Sequence, residues 1–246
     1  METMTIDANG MHYTPLNKMI RQAVASGVRE IVIDNVLGQR FIANGLRSNV
    51  RITINGVPGG DLGMFMSGPE CIVRGDSEHA PGNTMDNGTI VIHGSAGDAV
   101  AHSMRGGRVF VRGDIGYRGG IHMKEYDQKR PVLAVGGTTH AFLGEYMAGG
   151  IIIVLGIGHE VAVKDRGIGS GIHGGEIILR GDIEDRLLGV GARKVIFTED
   201  DLNRLSPLIT EFCERIEVDP SQFLDTNYTR IIPASSRPFA GKYTWE

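Results

Sequence analysis

Met104-Arg105-Gly106-Gly107-Arg108-Val109-Phe110-Val111-Arg112-Gly113 is a phrase that the chain repeats. A Met stands nine residues ahead of a Gly. Two Gly follow the Met, and a β-branched and aromatic run leads to the closing Gly. The same step joins Met66 to Gly75, Met85 to Gly94 and Met147 to Gly156, and Ile172 to Gly181 with Ile in place of Met. Met66, Met85, Met104 and Met123 lie 19 residues apart. A fixed period near 20 marks stacked units that each contact only their neighbours, which is a solenoid.

Each repeat holds one short apolar triplet: 31–33, 52–54, 71–73, 90–92, 109–111, 132–134, 152–154 and 177–179. Strand alternation puts the outer two residues of a triplet on one face. Ile52/Ile54, Cys71/Val73, Ile90/Ile92 and Val109/Val111 are therefore expected to stack inward. The middle residues, Thr53 to Phe110, point out, and since most are apolar their face is expected to be covered. The turns are read from glycine. Gly68-Pro69, Asn87-Gly88, Gly106-Gly107, Gly149-Gly150 and Gly174-Gly175 follow the Met or its Ile stand-in, where Gly supplies positive φ and Asn is the best substitute. Three residues before it stand Gly63, Gly82, Ala101, Gly120, Gly144 and Gly169, read as small so that adjacent coils can approach. A 19-residue coil leaves little room for a helix. The fold class is all-β: a single-stranded right-handed parallel β-helix with short helical caps at both ends.

Residues 1–30 read as the N-terminal cap, because an open solenoid end exposes unpaired strand edges. Thr14-Pro15 is the expected helix start and Gly27 its end. Residues 31–198 are the β-helix. The register slips after Met123, where Lys124 to Pro131 replace the Gly pair and delay the closing Gly136. This charged insertion is expected to loop out, and residues 156–171 hold further extra length. Residues 199–246 read as a C-terminal helix closing the other end, then an extended tail. Thr198 is its N-cap, with an apolar stripe of Leu202, Leu205, Ile209, Phe212, Cys213 and Ile216. The tail carries Tyr228, Ile231, Ile232, Phe239, Tyr243 and Trp245, and folds back on its own domain or docks on a partner.

Composition is that of an ordinary globular chain: 41% hydrophobic and 22% charged residues over 246, with 36 Gly at fixed phases. The net charge of −4 gives no basic footprint for nucleic acid. No signal-peptide pattern opens the sequence and no apolar run reaches the roughly 18 residues of a membrane span, so a soluble, cytoplasmic protein is expected. Two cysteines, Cys71 and Cys213, make neither a disulfide framework nor a zinc cluster; they read as core and helix packing.

Gly94-Ser95-Ala96-Gly97 and Gly113-Asp114-Ile115-Gly116 suggest phosphate loops, but each leads into another coil rather than a helix, so turn chemistry is preferred. Arg-Gly-Asp at 74–76, 112–114 and 180–182 occupies one repeat phase and reads as a turn whose Asp bonds its own backbone. Asp76, Asp114 and Asp182 sit too many coils apart for a paired-carboxylate mechanism, with Ser95 interrupting the row. Of the histidines His12, His79, His93, His102, His122, His140, His159 and His173, none lies in a metal-ligand spacing. His122 and His173 flank equivalent Met/Ile positions and read as turn or inter-coil packing. His140 and His159, with Glu145 and Glu160, are the best acid–base candidates.

The repeated phrase resembles the GXGXG domain, the C-terminal right-handed β-helix of the glutamate synthase large subunit, which one of the formylmethanofuran dehydrogenase subunits shares. The resemblance spans roughly residues 30–190. Its fullest copy is Gly144-Glu145-Tyr146-Met147-Ala148-Gly149-Gly150, and Tyr228-Thr229-Arg230-Ile231-Ile232-Pro233 looks like the end of the large subunit. The residues carrying it are Gly75, Gly94, Met104, Gly106, Gly107, Gly113, Gly136, Met147, Gly149, Gly150, Gly156, Gly174, Gly175 and Gly181. The chain lacks the large subunit's N-terminal Cys nucleophile, flavin barrel and iron–sulfur cysteines. The resemblance therefore implies a stand-alone, non-catalytic structural subunit with no cofactor of its own. Its expected partners are a class II amidotransferase glutaminase subunit and a synthase subunit binding FMN and iron–sulfur clusters. A homo-oligomer stays open. The alternatives are a scaffold in a formylmethanofuran dehydrogenase-type complex, or a β-helix enzyme in its own right.

Overall fold

A computed structural model describes residues 3–235. Phe239, Tyr243 and Trp245 lie outside the described residues. Eleven strands form one sheet in the order β1-β2-β3-β4-β5-β6-β7-β8-β9-β11-β10. The strands are β1 (Thr3–Asp7), β2 (Glu30–Leu37), β3 (Arg51–Val57), β4 (Ser67–Val73), β5 (Asn87–Ile92), β6 (Arg108–Val111), β7 (Val132–Val135), β8 (Ala148–Val154), β9 (Gly174–Arg180), β10 (Ala192–Ile196) and β11 (Tyr228–Pro233). β1 to β9 pair in parallel, each one coil beyond the last. β11 then pairs antiparallel with β9, and β10 antiparallel with β11. This is a parallel β-solenoid. β1, β10 and β11 are strands that the repeat does not announce, since they lie outside it.

Every expected triplet falls within a strand, with one shift. Val109 pairs with Leu133 and Val111 with Val135, so the inward pair of β7 is Leu133/Val135 rather than 132 and 134. The Gly that carries on the closing ladder is accordingly Gly137, not Gly136: Gly113 N–H donates to the Gly94 carbonyl, and Gly137 N–H to that of Gly113, at 2.9 and 3.0 Å. The insertion is one residue longer than the spacing implies.

The inward column Ile31/Ile33, Ile52/Ile54, Cys71/Val73, Ile90/Ile92, Val109/Val111, Leu133/Val135, Ile152/Val154 and Ile177/Leu179 forms the inner core. Met66, Met85, Met104, Met123 and Met147 stack beside it, fully buried. Burial pushes the Cys71 thiol up to about 12, with the Glu70 charge adding to it, as suits an inert core residue.

α1 (Tyr13–Ala25) lays Leu16, Ile20 and Ala23 into this inner core. Its N-cap is His12, whose ring nitrogen accepts from Thr14 N–H, and not Thr14 as the Thr-Pro pair suggests. Gly27 follows the C-cap with φ +95°. α2 (Glu199–Arg215) starts at Thr198 in a capping box with Asp201, as its first turn predicts. α2 runs along the flank of the solenoid. Its Leu205, Ile209, Phe212 and Cys213 pack on the outward middle residues Val91, Phe110, Ala134, Ile153 and Ile178. That is the cover the apolar outer face requires. The earlier middle residues Thr53 and Ile72 stay half-buried.

Candidate functional site

Three sides of each coil can present chemistry, and the repeat dictates what stands on each. On the side opposite the strands, positive φ recurs at alternate residues. It falls on Asp61, Gly63 and Phe65, then on Ala80, Gly82 and Thr84, and so on to Gly167, Gly169 and Gly171. Alternation aims successive amides at opposite neighbours. Asp61 and Phe65 N–H donate forward to His79 and Asn83 carbonyls at 3.0 Å, while Gly63 N–H donates back to the Ile42 carbonyl at 2.8 Å. The middle position must be small for a reason other than coil-to-coil approach. A Cβ on Gly63 would sit 2.8 Å from Ile90 Cδ1, and one on Gly144 2.6 Å from Ile177 Cδ1. Two copies carry Ala instead, Ala43 and Ala101, both at positive φ, and the residues at that register are Cys71 and Leu133.

The exposed faces of this side carry rings. His102 and His122 meet edge-on at 6.1 Å, and His122 stacks on Tyr146 at 5.4 Å and 10°. His122 thus packs between coils as its phase predicts. Burial, then the charge of His122, hold the His102 pKa below the ordinary imidazole value.

The second side carries a hydrogen-bond ladder built from the Arg-Gly-Asp phase. Asp76 Oδ1 accepts from Ser95 N–H at 2.7 Å, Ser95 Oγ from Asp114 N–H at 3.1 Å, and Asp114 Oδ1 from Thr138 N–H at 2.9 Å. Asp76 and Asp114 thus bond the next coil rather than their own turn; only Asp182 bonds locally, to Ile183 N–H. Ser95 continues the row that it was expected to interrupt. Gly94, Gly113 and Gly137 lie under these side chains, and a Cβ on any of them would fall on the ladder oxygen. His79, Asp98 and Tyr117 form a parallel rung set: His79 Nδ1 accepts from Asp98 N–H at 2.8 Å, and Asp98 Oδ1 from Tyr117 N–H at 2.9 Å.

Three of the four acid–base candidates are each tied to a partner. His140 Nδ1 lies 2.9 Å from Asp165 and stacks on Tyr117 at 4.9 Å. His159 Nε2 lies 2.8 Å from Asp114. Glu145 pairs with Arg118 at 2.9 Å, and Glu160 is exposed. Each histidine has a carboxylate partner, and the two pairs are linked through adjacent residues, since Lys164 pairs with the same Asp114 at 3.5 Å and Asp165 holds His140. Asp114 is the most engaged. Burial works to raise its pKa, yet the Thr138 N–H and the charges of His159 and Lys164 together hold it below the usual carboxylate range.

The densest polar cluster is one that spacing misses. Glu176 on β9, 3% exposed, receives Arg204 from α2 at 2.6 and 3.0 Å, Arg230 from β11 at 2.9 Å and Arg130 from the insertion at 3.1 Å. Asp201 pairs with Arg204 at 3.1 Å and Arg230 at 3.0 Å. Four segments far apart in sequence meet here. The one hint in the sequence is a charged Glu176 beside an apolar triplet. The insertion loops out as expected but is pinned at both ends, with Lys129 at 2.6 Å from Asp86 and Glu125 accepting from Gly150 N–H at 2.8 Å. Among the described residues, no group of three or more His, Cys, Asp or Glu side chains is placed to hold a metal ion. No helix among them is long and apolar enough to cross a membrane.

The alternating positive-φ stretch appears literally as Gly167-Ile168-Gly169-Ser170-Gly171. Residues 18–236 match a protein family described by its GXGXG motif. The chain belongs to the GXGXG family. It is also 55% identical, over an alignment of 254 residues, to an uncharacterized protein of Methanocaldococcus jannaschii; the alignment covers 99% of this chain and 97% of the relative. The GXGXG spacing has a physical meaning here. Its three Gly positions are the three left-handed residues of one coil, and the middle one faces the inner core. Met104 and Met147 fill that core, while Gly106 and Gly107 precede β6, Gly149, Gly150, Gly174 and Gly175 lie in the first residues of β8 and β9, and Gly75, Gly94, Gly113, Gly156 and Gly181 follow strands.

Proposed function

We propose that this GXGXG chain is a non-catalytic structural subunit of a glutamate synthase, the complex that makes glutamate from glutamine and 2-oxoglutarate. It holds a glutaminase subunit and a synthase subunit in fixed relation, in the cytoplasm. FMN and iron–sulfur clusters belong to the partner subunits. One observation carries the reading. The polar side chains that repeat along the solenoid are joined to the next coil or to an ion-pair partner, so they stiffen a rod instead of converging on a substrate. A stiff rod is what fixed spacing between two enzymes requires. Family membership supports it, through the likeness to the C-terminal β-helix of the large subunit.

The test has two parts. The purified chain, given glutamine, is expected to release no glutamate above the uncatalysed rate. Turnover that disappears in His159→Asn or His140→Asn would replace the scaffold reading with an enzyme. In a complex reconstituted from all subunits, omitting this chain is expected to abolish glutamine-dependent synthesis while leaving ammonia-dependent synthesis largely intact. Unchanged glutamine-dependent synthesis without it would overturn the proposal.

A further inference from the structure

The N-terminal end of the solenoid carries a cleft outside the side-chain ladders on which the scaffold reading rests. It has a volume of about 400 Å³ and lies between α1 and the first coil. Its floor is aromatic: Tyr13 and Phe41 meet edge-on with centroids 5.6 Å apart. The cleft is prebuilt, because two α1 side chains bridge to the coil. Asn17 Nδ2 donates to the Arg40 carbonyl at 2.9 Å, and Arg21 donates to the Asn44 carbonyl. These bonds fix the wall before any ligand arrives.

The rim is cationic, on a chain of net charge −4. Lys18 and Arg21 line the cleft, and Arg40 lies over the Phe41 ring at 4.7 Å. Among the described residues only Arg40 of the three is ion-paired, to Asp61 at 3.1 Å. Among the described residues, two cations beside a ring floor are thus left without a carboxylate, and both residues are exposed. Arg21 spends one N–H on a carbonyl, which leaves its charge uncompensated. A flat apolar group set against Tyr13 and Phe41 would hold an attached anion over Lys18 and Arg21.

We propose that this cleft is a binding site for an anion joined to a flat apolar group, the anion being a phosphate monoester or a carboxylate. The rings supply the apolar contact and Lys18 and Arg21 the charge. The two parts act together, so a ligand with both binds more tightly than either part alone.

The test uses the full chain, isotopically labelled, and amide chemical shifts on titration with phenyl phosphate and, separately, hydrocinnamate. The expected result is saturable shifts confined to residues around Tyr13, Lys18, Arg21 and Phe41. Affinity should be at least tenfold above that of inorganic phosphate or phenol, and should weaken as salt rises. Lys18→Glu, an exposed change that leaves the fold intact, is expected to weaken both probes tenfold or more, while Lys124→Glu on the insertion does nothing. Tighter binding of one probe identifies the anion. No localised shift at 20 mM of either probe would overturn the site, as would shifts that Lys18→Glu leaves unchanged. Neither result touches the scaffold reading, which is tested by subunit omission.

Discussion

At the scale of single residues, the fold rests on where a Cβ is allowed. Gly107 has φ +81°, and an added Cβ would meet the Gly88 carbonyl oxygen at 2.5 Å and Met85 Cε at 2.7 Å. Gly158 has φ +78° but nothing within 4 Å. Both substitutions to Ala incur the left-handed penalty, about 1 kcal/mol; only the first also drives a carbon into backbone. Urea unfolding is expected to place Gly107→Ala at least about 2 kcal/mol below Gly158→Ala. Equal losses would mean that the Met-on-Gly stacking is slack. Titration follows the same local logic. His93 and His102 have pKa values held down by burial, joined in turn by the charges of Arg74 and His122. The unfolded chain therefore takes up protons first, and stability falls as pH drops below the ordinary imidazole value near 6.5, levelling off below the depressed folded values. Asp114 and Asp201, with folded pKa values below the usual carboxylate range, contribute stability present above that range. It is lost as pH falls through their folded values. Unfolding midpoints measured from pH 8 to 3 are expected to decline in these two stages. A midpoint that rises on going from pH 7 to 5.5 would contradict the assignment.

At the scale of elements, α2 is the piece whose docking shapes the flank. Phe212 is fully buried against Phe110, with ring centroids 5.2 Å apart. Phe212→Ala is expected to cost about 3–5 kcal/mol through the lost burial and the cavity left behind. The Glu176 cluster ties the same helix to β9, β11 and the insertion. Glu176→Gln removes the charge on which three guanidinium groups converge, so a loss of about 3–5 kcal/mol is expected in thermal unfolding. Arg186→Ala breaks only the exposed pair with Glu184 and is expected to leave the unfolding midpoint essentially unchanged. These elements also show how far the sequence could be read. The strands inside the repeat were legible because Met, Gly and β-branched residues recur in phase, and α2 because Thr198, its acidic first turn and its stripe agree. β10 was not, because antiparallel closing strands obey no repeat, and of β11 only the extended tail at Tyr228 to Ile232, folding back on its own domain, was legible. The α1 cap at His12 was hidden behind a more typical Thr-Pro start. The flank position of α2 follows from apolar middle residues such as Phe110, which required a cover without naming it.

At the scale of the whole molecule, the chain is a rod whose side-chain ladders run from coil to coil. Asp76, Ser95 and Asp114 could be read as members of one phase. What could not be read is that they bond forward, since that depends on the side chain lying across the next coil's Gly. The Glu176 cluster was equally hidden, because its members come from β9, the insertion, α2 and β11. His140, His159 and Glu145 are each engaged by a partner side chain, in keeping with the proposed role as a stiff support. The most direct measurement is affinity purification of this chain from its native cells, with mass spectrometry of the proteins that accompany it. The account predicts a class II glutaminase subunit and a flavin and iron–sulfur synthase subunit in stoichiometric amounts. Recovery of a molybdenum or tungsten enzyme in their place, or of the chain alone at low salt, would contradict it.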